Sequence, residues 1–484
     1  MGSIELRTLM SSRKFTKPLV VRDEIHGDIS FDSLVRQVID HPYFQRLRYI
    51  KQLGLAEYVF PCATHTRFQH SLGASFLAGQ YFETMVKAWL GSSFGFEGKV
   101  QSTQLFAQQT KKVMSQVAQS EESKQFWWQT VSLAGLLHDV GHGPWSHTFE
   151  YLDLNQDFSA VTSQIDGAVG TYFQNLAKSG KKLHHEDISV LYIFSIFKEL
   201  GVEDQFFLPV ALLVNHKMAE GSLKLAMEKE LATTLKKNGI KGGIETHQLL
   251  RPIISGPFDV DRIDYIQRDG RNCGVHIGGI EWRRIVTKLV PCLADHKGTK
   301  NEPSEVVLIS NIKNQHVIDD FIFSLFQMYA QVYMHPKIVG VEEIAKRLLK
   351  KRVDVKTKPT VTFELHASLS DEKFRTMLVE EFEVPEIEAI LLRRPGFHFS
   401  VASSPPEDNS MNRELKKHGY SLIDTLDRPM MKDSVGVFLF SSFRNSKSGK
   451  GEFFLEPWTQ VSPIAKQFFT INYSPKLWIQ SSVV

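Results

Sequence analysis

Apolar residues recur along most of this chain at three- and four-residue spacing, the period of a helix that buries one face. That pattern predicts helices over 31–41 and 43–54, the second closed by Gly54. A long apolar helix is expected to start near His70 and run through Phe76, Leu77, Tyr81 and Met85, and another runs through Phe126, Trp127, Val131, Ala134 and Leu137. Helical periods return over 144–151, 188–200, 259–269 and 315–340. β-Branched residues before a Gly turn at 19–29 suggest a short hairpin. From about 341 the pattern changes to strands at 361–365 and 435–440 around an amphipathic helix from Asp371. Residues 93–125 read as a connection followed by a surface helix, and 152–180 as a looser connection. Pro405–Ser410 and Ser446–Gly451 read as loops, the latter too irregular for a phosphate-binding P-loop. The expected fold is mostly α: a polar, basic lead-in at 1–18, a helical core at 19–340, and a smaller C-terminal α/β subdomain at 341–484.

The most informative break is at Leu136-Leu137-His138-Asp139-Val140-Gly141-His142-Gly143-Pro144, where a buried helix is stopped by two glycines and a proline. Near a helix end an imidazole and a carboxylate can reach one point, and borderline cations accept both donor types while leaving positions open for water. A lone His-Asp is more often a capped helix end, so two further segments decide its meaning. Arg67-Phe68-Gln69-His70-Ser71-Leu72-Gly73 puts His70 at the start of a buried helix. Asp259-Val260-Asp261-Arg262-Ile263-Asp264-Tyr265 begins a helix that turns Asp261, Tyr265, Arg268 and Asp269 to one face, which is either solvated or lines a polar site. His147 and Glu150, three apart, share a face close to the His-Asp end.

Composition narrows the class. Hydrophobic content of 42%, charged content of 23% and an aromatic share of 11% in 484 residues describe a globular chain large enough to bury a deep site. A formal charge of +3 does not indicate nucleic-acid binding. Cys62, Cys273 and Cys292 show neither zinc-finger nor CxxC spacing, which fits a reducing compartment. No signal-peptide core is seen and no apolar run approaches the ~18 residues of a membrane span, so a cytoplasmic location is expected.

His70, then His138-Asp139 after 68 positions (138 − 70), then Asp261 after a further 122 (261 − 139), form an ordered H…HD…D set. This resembles the HD-domain phosphohydrolases, and the flanking words look like the deoxynucleoside triphosphate triphosphohydrolase branch, which includes bacterial dNTPases and the vertebrate sterile-alpha-motif and HD-domain enzyme. The likeness covers roughly residues 19–340. No sterile-alpha-motif domain is expected here, since the hairpin starts within twenty residues of Met1. The resemblance implies a divalent metal held by His70, His138, Asp139 and Asp261, a set that accepts Mg, Mn, Fe, Co, Ni or Zn. It implies that His142, His147, Glu150 and His185 surround the α-phosphate, with His185 as proton donor to the leaving 5′-oxygen. It also implies phosphate contacts from Arg67, Arg262 and Lys337, sugar contacts from Gln52, Leu53 and Asp269, and packing of sugar and base on Tyr265 and Tyr333.

Two departures are visible. A family arginine is Leu325 here, and Pro336 separates His335 from Lys337. Asp40, Gln45 and Arg48 match guanine-nucleotide activator positions, although the basic residue expected before the hairpin is Leu19. The expected function is metal-dependent hydrolysis of dNTPs to deoxynucleoside and inorganic triphosphate by a homo-oligomer, dimer or tetramer, that an activator nucleotide regulates. An HD-type nucleotidase or phosphodiesterase is the alternative among enzymes. The alternative outside enzymes is a nucleotide-sensing or nucleic-acid-binding protein with a vestigial HD site.

Overall fold

The computed structural model describes residues 18–380 apart from 92–98, 101, 151, 153, 297, 299–300 and 354–359; beyond 380 it describes the strands 399–402, 420–423, 437–445, 451–457 and 476–480, with residues 460 and 462. The lead-in at 1–17 and the loops expected over 405–410 and 446–450 lie outside the described residues.

A mostly α body is built on the helix Arg67–Gly91, which buries Leu72, Leu77, Tyr81, Met85 and Trp89. Each fully buried side chain of this size contributes roughly 1.5–3 kcal/mol, so this helix becomes the seam on which its neighbours pack. Two of them, Glu121–Leu137 and Val260–Cys273, cross it closely because small residues stand at the crossings. A Cβ on Gly135 would lie 2.9 Å from the Ala74 carbonyl oxygen, and one on Gly73 would lie 1.9 Å from Asp264 Oδ1. Capping fixes where two of the helices begin. Ser120 Oγ accepts from the Ser123 N–H at 3.1 Å, and Asp259 Oδ1 accepts from the Arg262 N–H at 2.9 Å. The H…HD…D set lies at the ends of these three helices, His70 and Asp261 in first turns and His138-Asp139 just past Leu137.

The hairpin pairs Leu19–Asp23 with Gly27–Phe31, antiparallel, with Val21 opposite Ile29. A six-stranded sheet has the order Gly451–Pro457, Val437–Asn445, Glu305–Asn311, Val290–His296, Thr103–Leu105, Lys99–Val100. Its one parallel pairing sets Val437 opposite Leu308, so a distant C-terminal strand closes onto the helical body. A second apolar cluster gathers Leu55, Trp145, Phe149, Leu152 and Leu154 with Ile344, Leu348, Phe374 and Leu378.

Several expected elements differ. The helix expected over 43–54 is one turn, Pro42–Gln45, followed by 3₁₀ turns at Arg46–Tyr49 and Gly54–Tyr58. Arg46, readable as surface, is buried instead: its guanidinium donates to the Val140 and His142 carbonyl oxygens, both at 2.7 Å. Residues 152–180 hold the strand Asn155–Asp157 and the helices Ser159–Thr162 and Gly167–Ser179. The helix expected over 315–340 is Gln315–Met328, then a wide turn at Tyr329–Tyr333, then a new helix from Pro336, because proline starts a helix more readily than it continues one. Residues 361–365 split into the strand Thr360–Thr362 and the helix Phe363–Ser368.

Candidate active site

His70 lies in the first turn of its helix, His138 caps the end of Glu121–Leu137, and Asp261 lies in the first turn of Val260–Cys273, so three helix ends meet at one point. His70 Nε2 is 3.3 Å from His138 Nε2, 3.1 Å from Asp261 Oδ1 and 3.6 Å from Asp139 Oδ2. His138 Nε2 is 3.5 Å from Asp139 Oδ1 and 3.6 Å from Asp261 Oδ1. The other ring nitrogens are committed: His70 Nδ1 meets Asp264 Oδ2 at 2.9 Å and His138 Nδ1 meets the Gly135 carbonyl at 2.8 Å. Since a carboxylate and a carbonyl only accept, each Nδ1 is the N–H donor and each neutral ring turns its Nε2 lone pair inward. Two lone pairs and two carboxylates facing one point need a cation there, and this donor set fits a divalent metal. The same surroundings favour positive charge on the His70 ring: burial opposes it, but hydrogen bonds to Asp261 and Asp264 push its pKa up to about 10.

Asp264 is wholly buried and also receives Arg268 Nε and Nη2, both at 2.8 Å, and His26 Nε2 at 2.7 Å. Burial alone would raise its carboxyl; Arg268 first, then the two histidines, hold it well below the usual range. Asp139 is likewise held well below that range against its burial, chiefly by Arg67, whose Nη1 donates to Asp139 Oδ2.

His142, His147, Glu150 and His185 form a second group beside the first. Glu150 Oε1 lies 3.0 Å from His185 Nδ1, 3.2 Å from His147 Nδ1 and 3.4 Å from His142 Nδ1. The His142 and His185 rings stack at 4.0 Å, and His142 Nε2 reaches Asp139 Oδ1 at 3.3 Å, which joins the two groups. Burial pushes His142 well down, assisted by Arg67 and His185. His185 goes the other way: burial lowers it, but Glu150 outweighs that and keeps the imidazole protonated more readily than usual. Two stacked imidazoles are therefore pushed in opposite directions, His142 toward the neutral form and His185 toward the protonated one.

Both groups open on a cleft of about 300 Å³. Gln52, Leu53, Arg67, Asp139, His142, His147, His185, Asp261, Tyr265, Asp269 and Tyr333 all line it. Tyr333 donates to Asp269 Oδ2 at 2.8 Å while His65 Nε2 meets Asp269 Oδ1 at 2.7 Å, and the Tyr265 and Tyr333 rings stand edge to face at 5.9 Å. Gln52 Oε1 is buried without a hydrogen-bond partner among the described residues.

Two expected phosphate contacts are not among the lining residues. The Arg262 guanidinium is held by Asp259 at 2.5 Å and by the Gly256 carbonyl, so the residue next to Asp261 folds back onto its own cap. Lys337 follows Pro336 in the first turn of a new helix, where its backbone N–H donates to His335 Nδ1 at 3.3 Å. Leu325, at the family arginine position, is buried in the core. Asp40, Gln45 and Arg48 do meet, in a separate cavity of about 380 Å³ lined also by Leu19, Glu24 and Arg268. There Arg48 stacks 3.6 Å over the Phe68 ring and donates to Gln45 Oε1 at 2.7 Å.

Sequence reasoning missed Trp145, Ser146, Tyr329 and Glu342, which also line the cleft. Trp145 and Ser146 lie where a helix was expected over 144–151; among the described residues there only His147–Glu150 is helical, because both residues have left-handed backbone. Asp264 could have been found, since a metal-binding histidine needs an acceptor for its second nitrogen and Asp264 stands three residues after Asp261.

The three helix ends that converge on the His-Asp group, and the core around them, agree with the H…HD…D motif set read in the sequence. Among known proteins it is similar to the deoxynucleoside triphosphate triphosphohydrolase SAMHD1 of Xenopus laevis, 32% identical over 277 residues (55% of this chain, 36% of that protein). The human protein of the same name is 31% identical over 286 residues (57% and 37%). An uncharacterized protein of Methanocaldococcus jannaschii is 27% identical over 338 residues (70% and 50%). The chain thus spans half or less of the length of these relatives. A solved phosphohydrolase from Bacteroides thetaiotaomicron has the same fold, with a TM-score of 0.61 at 19% identity over 96% of this chain and 99% of that one. No protein-family model matches the chain. Among the described residues no helix is long and apolar enough to cross a membrane.

Proposed function

We propose that this chain hydrolyses deoxynucleoside triphosphates at the α-phosphorus, releasing deoxynucleoside and inorganic triphosphate. The observation that carries this reading is the shared cleft: Asp139 and Asp261 of the H…HD…D set, with His70 and His138 behind them, a Glu150-paired His185, and a wall of Gln52, Leu53, Tyr265, Asp269 and Tyr333 meet at one cavity of nucleotide size. His70, His138, Asp139 and Asp261 would hold a divalent ion, which when bound acidifies water and polarises a phosphoryl oxygen. Water oxygen bonds to the α-phosphorus while the bond to the 5′-oxygen breaks. His185 supplies the proton that the 5′-oxygen takes, and the proton lost by the water passes to solvent. Tyr333, held by Asp269, is suited to crowd C2′ and disfavour a ribose hydroxyl.

One observation favours a second reading, a nucleotidase or phosphodiesterase for smaller nucleotides: of the three expected phosphate cations only Arg67 lines the cleft. Incubation with each dNTP in 18O-water separates the two. Attack at the α-phosphorus puts the label on triphosphate and none on the nucleoside; orthophosphate as the first labelled product, or faster turnover of dNMP, would overturn the dNTPase reading. The meeting of Asp40, Gln45 and Arg48 in their own cavity supports a second, activating nucleotide in a homo-oligomer. Addition of a guanine nucleotide should then raise turnover and change the sedimentation of the protein.

A further inference from the structure

Trp145 and Ser146, with φ of 57° and 54°, are the two described residues other than glycine with left-handed backbone. Such a conformation is disfavoured for any residue with a Cβ, so it persists only where the surroundings hold it. The Trp145 ring is buried edge-on against Phe374 at 5.0 Å. Ser146 Oγ donates to the Lys51 carbonyl at 2.6 Å and accepts from Arg67 Nε at 2.9 Å. The remaining tie comes from far along the chain. Asp371, in the first turn of the helix Asp371–Glu380, accepts the Trp145 N–H on Oδ1 at 2.8 Å and the Lys51 N–H on Oδ2 at 2.9 Å.

Each of these peptide groups precedes residues that line the cleft: Gln52 and Leu53 after Lys51, Ser146 and His147 after Trp145. Ser146 in turn bears on Arg67, which grips Asp139. Asp371 has no paired Lys or Arg among the described residues, and burial pushes its carboxyl up to about 6 although both peptide donors oppose that. A buried carboxylate is costly to keep, and here the two peptide donors and the nearby Lys51 charge offset that only in part. Apart from these two N–H groups, it has no hydrogen-bond partner among the described residues.

We propose that Asp371 is a positioning residue for the cleft: its two carboxylate oxygens tie the Lys51 and Trp145 peptide groups together and so set Gln52, Leu53, Ser146 and Arg67 against the substrate. The kinetic part of this inference rests on the dNTPase reading; the structural part does not. Asp371→Asn keeps size and shape but can accept only one of the two N–H groups and turns an NH2 toward the other. Amide exchange at residues 51 and 145 should speed up in that variant while exchange within 121–137 stays as it was. For dNTP the KM should rise roughly ten-fold, the scale of one lost hydrogen bond to a charged group, with kcat and bound metal little changed. Asp371→Glu, which keeps two acceptors, should recover part of the KM and carries the test if the Asn variant does not fold. Unchanged exchange at 51 and 145 would overturn the proposal, as would a uniform rise in exchange across both variants. If neither protein hydrolyses dNTPs, the exchange result still decides the role of Asp371 and the dNTPase reading fails separately.

Discussion

His70 and His138 present the same ring atom to one point because each commits Nδ1 to a fixed acceptor, Asp264 and the Gly135 carbonyl. Loss of such an outer partner usually costs about 10–100-fold in metal affinity. Asp264→Asn is therefore expected to weaken metal binding on that scale, read by calorimetric titration; equal affinity would show that His70 needs no such hold. Asp139→Ala or Asp261→Ala removes a donor outright, and metal content should fall together with hydrolysis. Full activity in Asp139→Ala without added metal would remove the assignment of these ligands. His185 differs, because Glu150 rather than the ligand set supports it. Its replacement by Ala should cut turnover by ~10²–10⁴-fold, the usual scale for general acid catalysis, with metal content retained. The sign of its pH dependence follows from its raised pKa: in the proposed role of proton donor the protonated ring is the active form, so kcat should fall as pH rises through that value. A kcat limb that is the same in His185→Ala would assign the limb to another group.

Elements place these side chains by meeting at their ends, and the tightest of those meetings is at Gly73. A methyl group there would overlap Asp264 Oδ1 and come within 2.7 Å of Arg268 Nη2, both buried and both hydrogen-bonded. Overpacking a core typically costs about 1–3 kcal/mol, so Gly73→Ala should lower the urea midpoint and weaken metal binding at once. A variant with normal stability and metal affinity would mean that the two helices can part without disturbing the site. Much of this architecture was legible in the sequence. The apolar period marked Arg67–Gly91 and Glu121–Leu137, the Gly-Pro punctuation marked the end of the latter, and the ordered H…HD…D spacing marked which ends converge. What the period could not show is where tertiary contacts override it. Arg46 turns inward to satisfy two carbonyl oxygens, and Trp145 and Ser146 leave the helical path for a turn anchored by Asp371, 226 residues beyond Trp145. Arg262 illustrates the same limit for a site residue, since its motif position says nothing of the cap that captures its guanidinium.

Across the whole molecule, one apolar core runs from the hairpin at Ile29 to Phe363, and a second joins the cleft wall at Trp145 to the helix at Phe374. Deep in the first lies His247, on the helix Gly243–Ile254, whose Nε2 donates to the Pro209 carbonyl at 3.0 Å. Burial, more than the neighbouring Arg251, holds this imidazole neutral and lowers it to about 4 from an ordinary 6.5, against a backbone hydrogen bond that acts the other way. The unfolded chain therefore takes up a proton here before the folded chain does. Stability should be at its full value above pH 6.5, decline as pH falls, and level off below about 4. Complete titration of this one group corresponds to about 3 kcal/mol, and at pH 5 about 2 kcal/mol of it should already be lost. Urea unfolding of the wild-type protein and of His247→Gln at pH 7 and pH 5 isolates the effect, because other groups titrate alike in both. The variant should start less stable at pH 7, having lost ring packing in the core, yet fall less between the two pH values. An equal fall in both would show that His247 already titrates alike in the folded and unfolded chains, and that acid sensitivity has its origin elsewhere in the molecule.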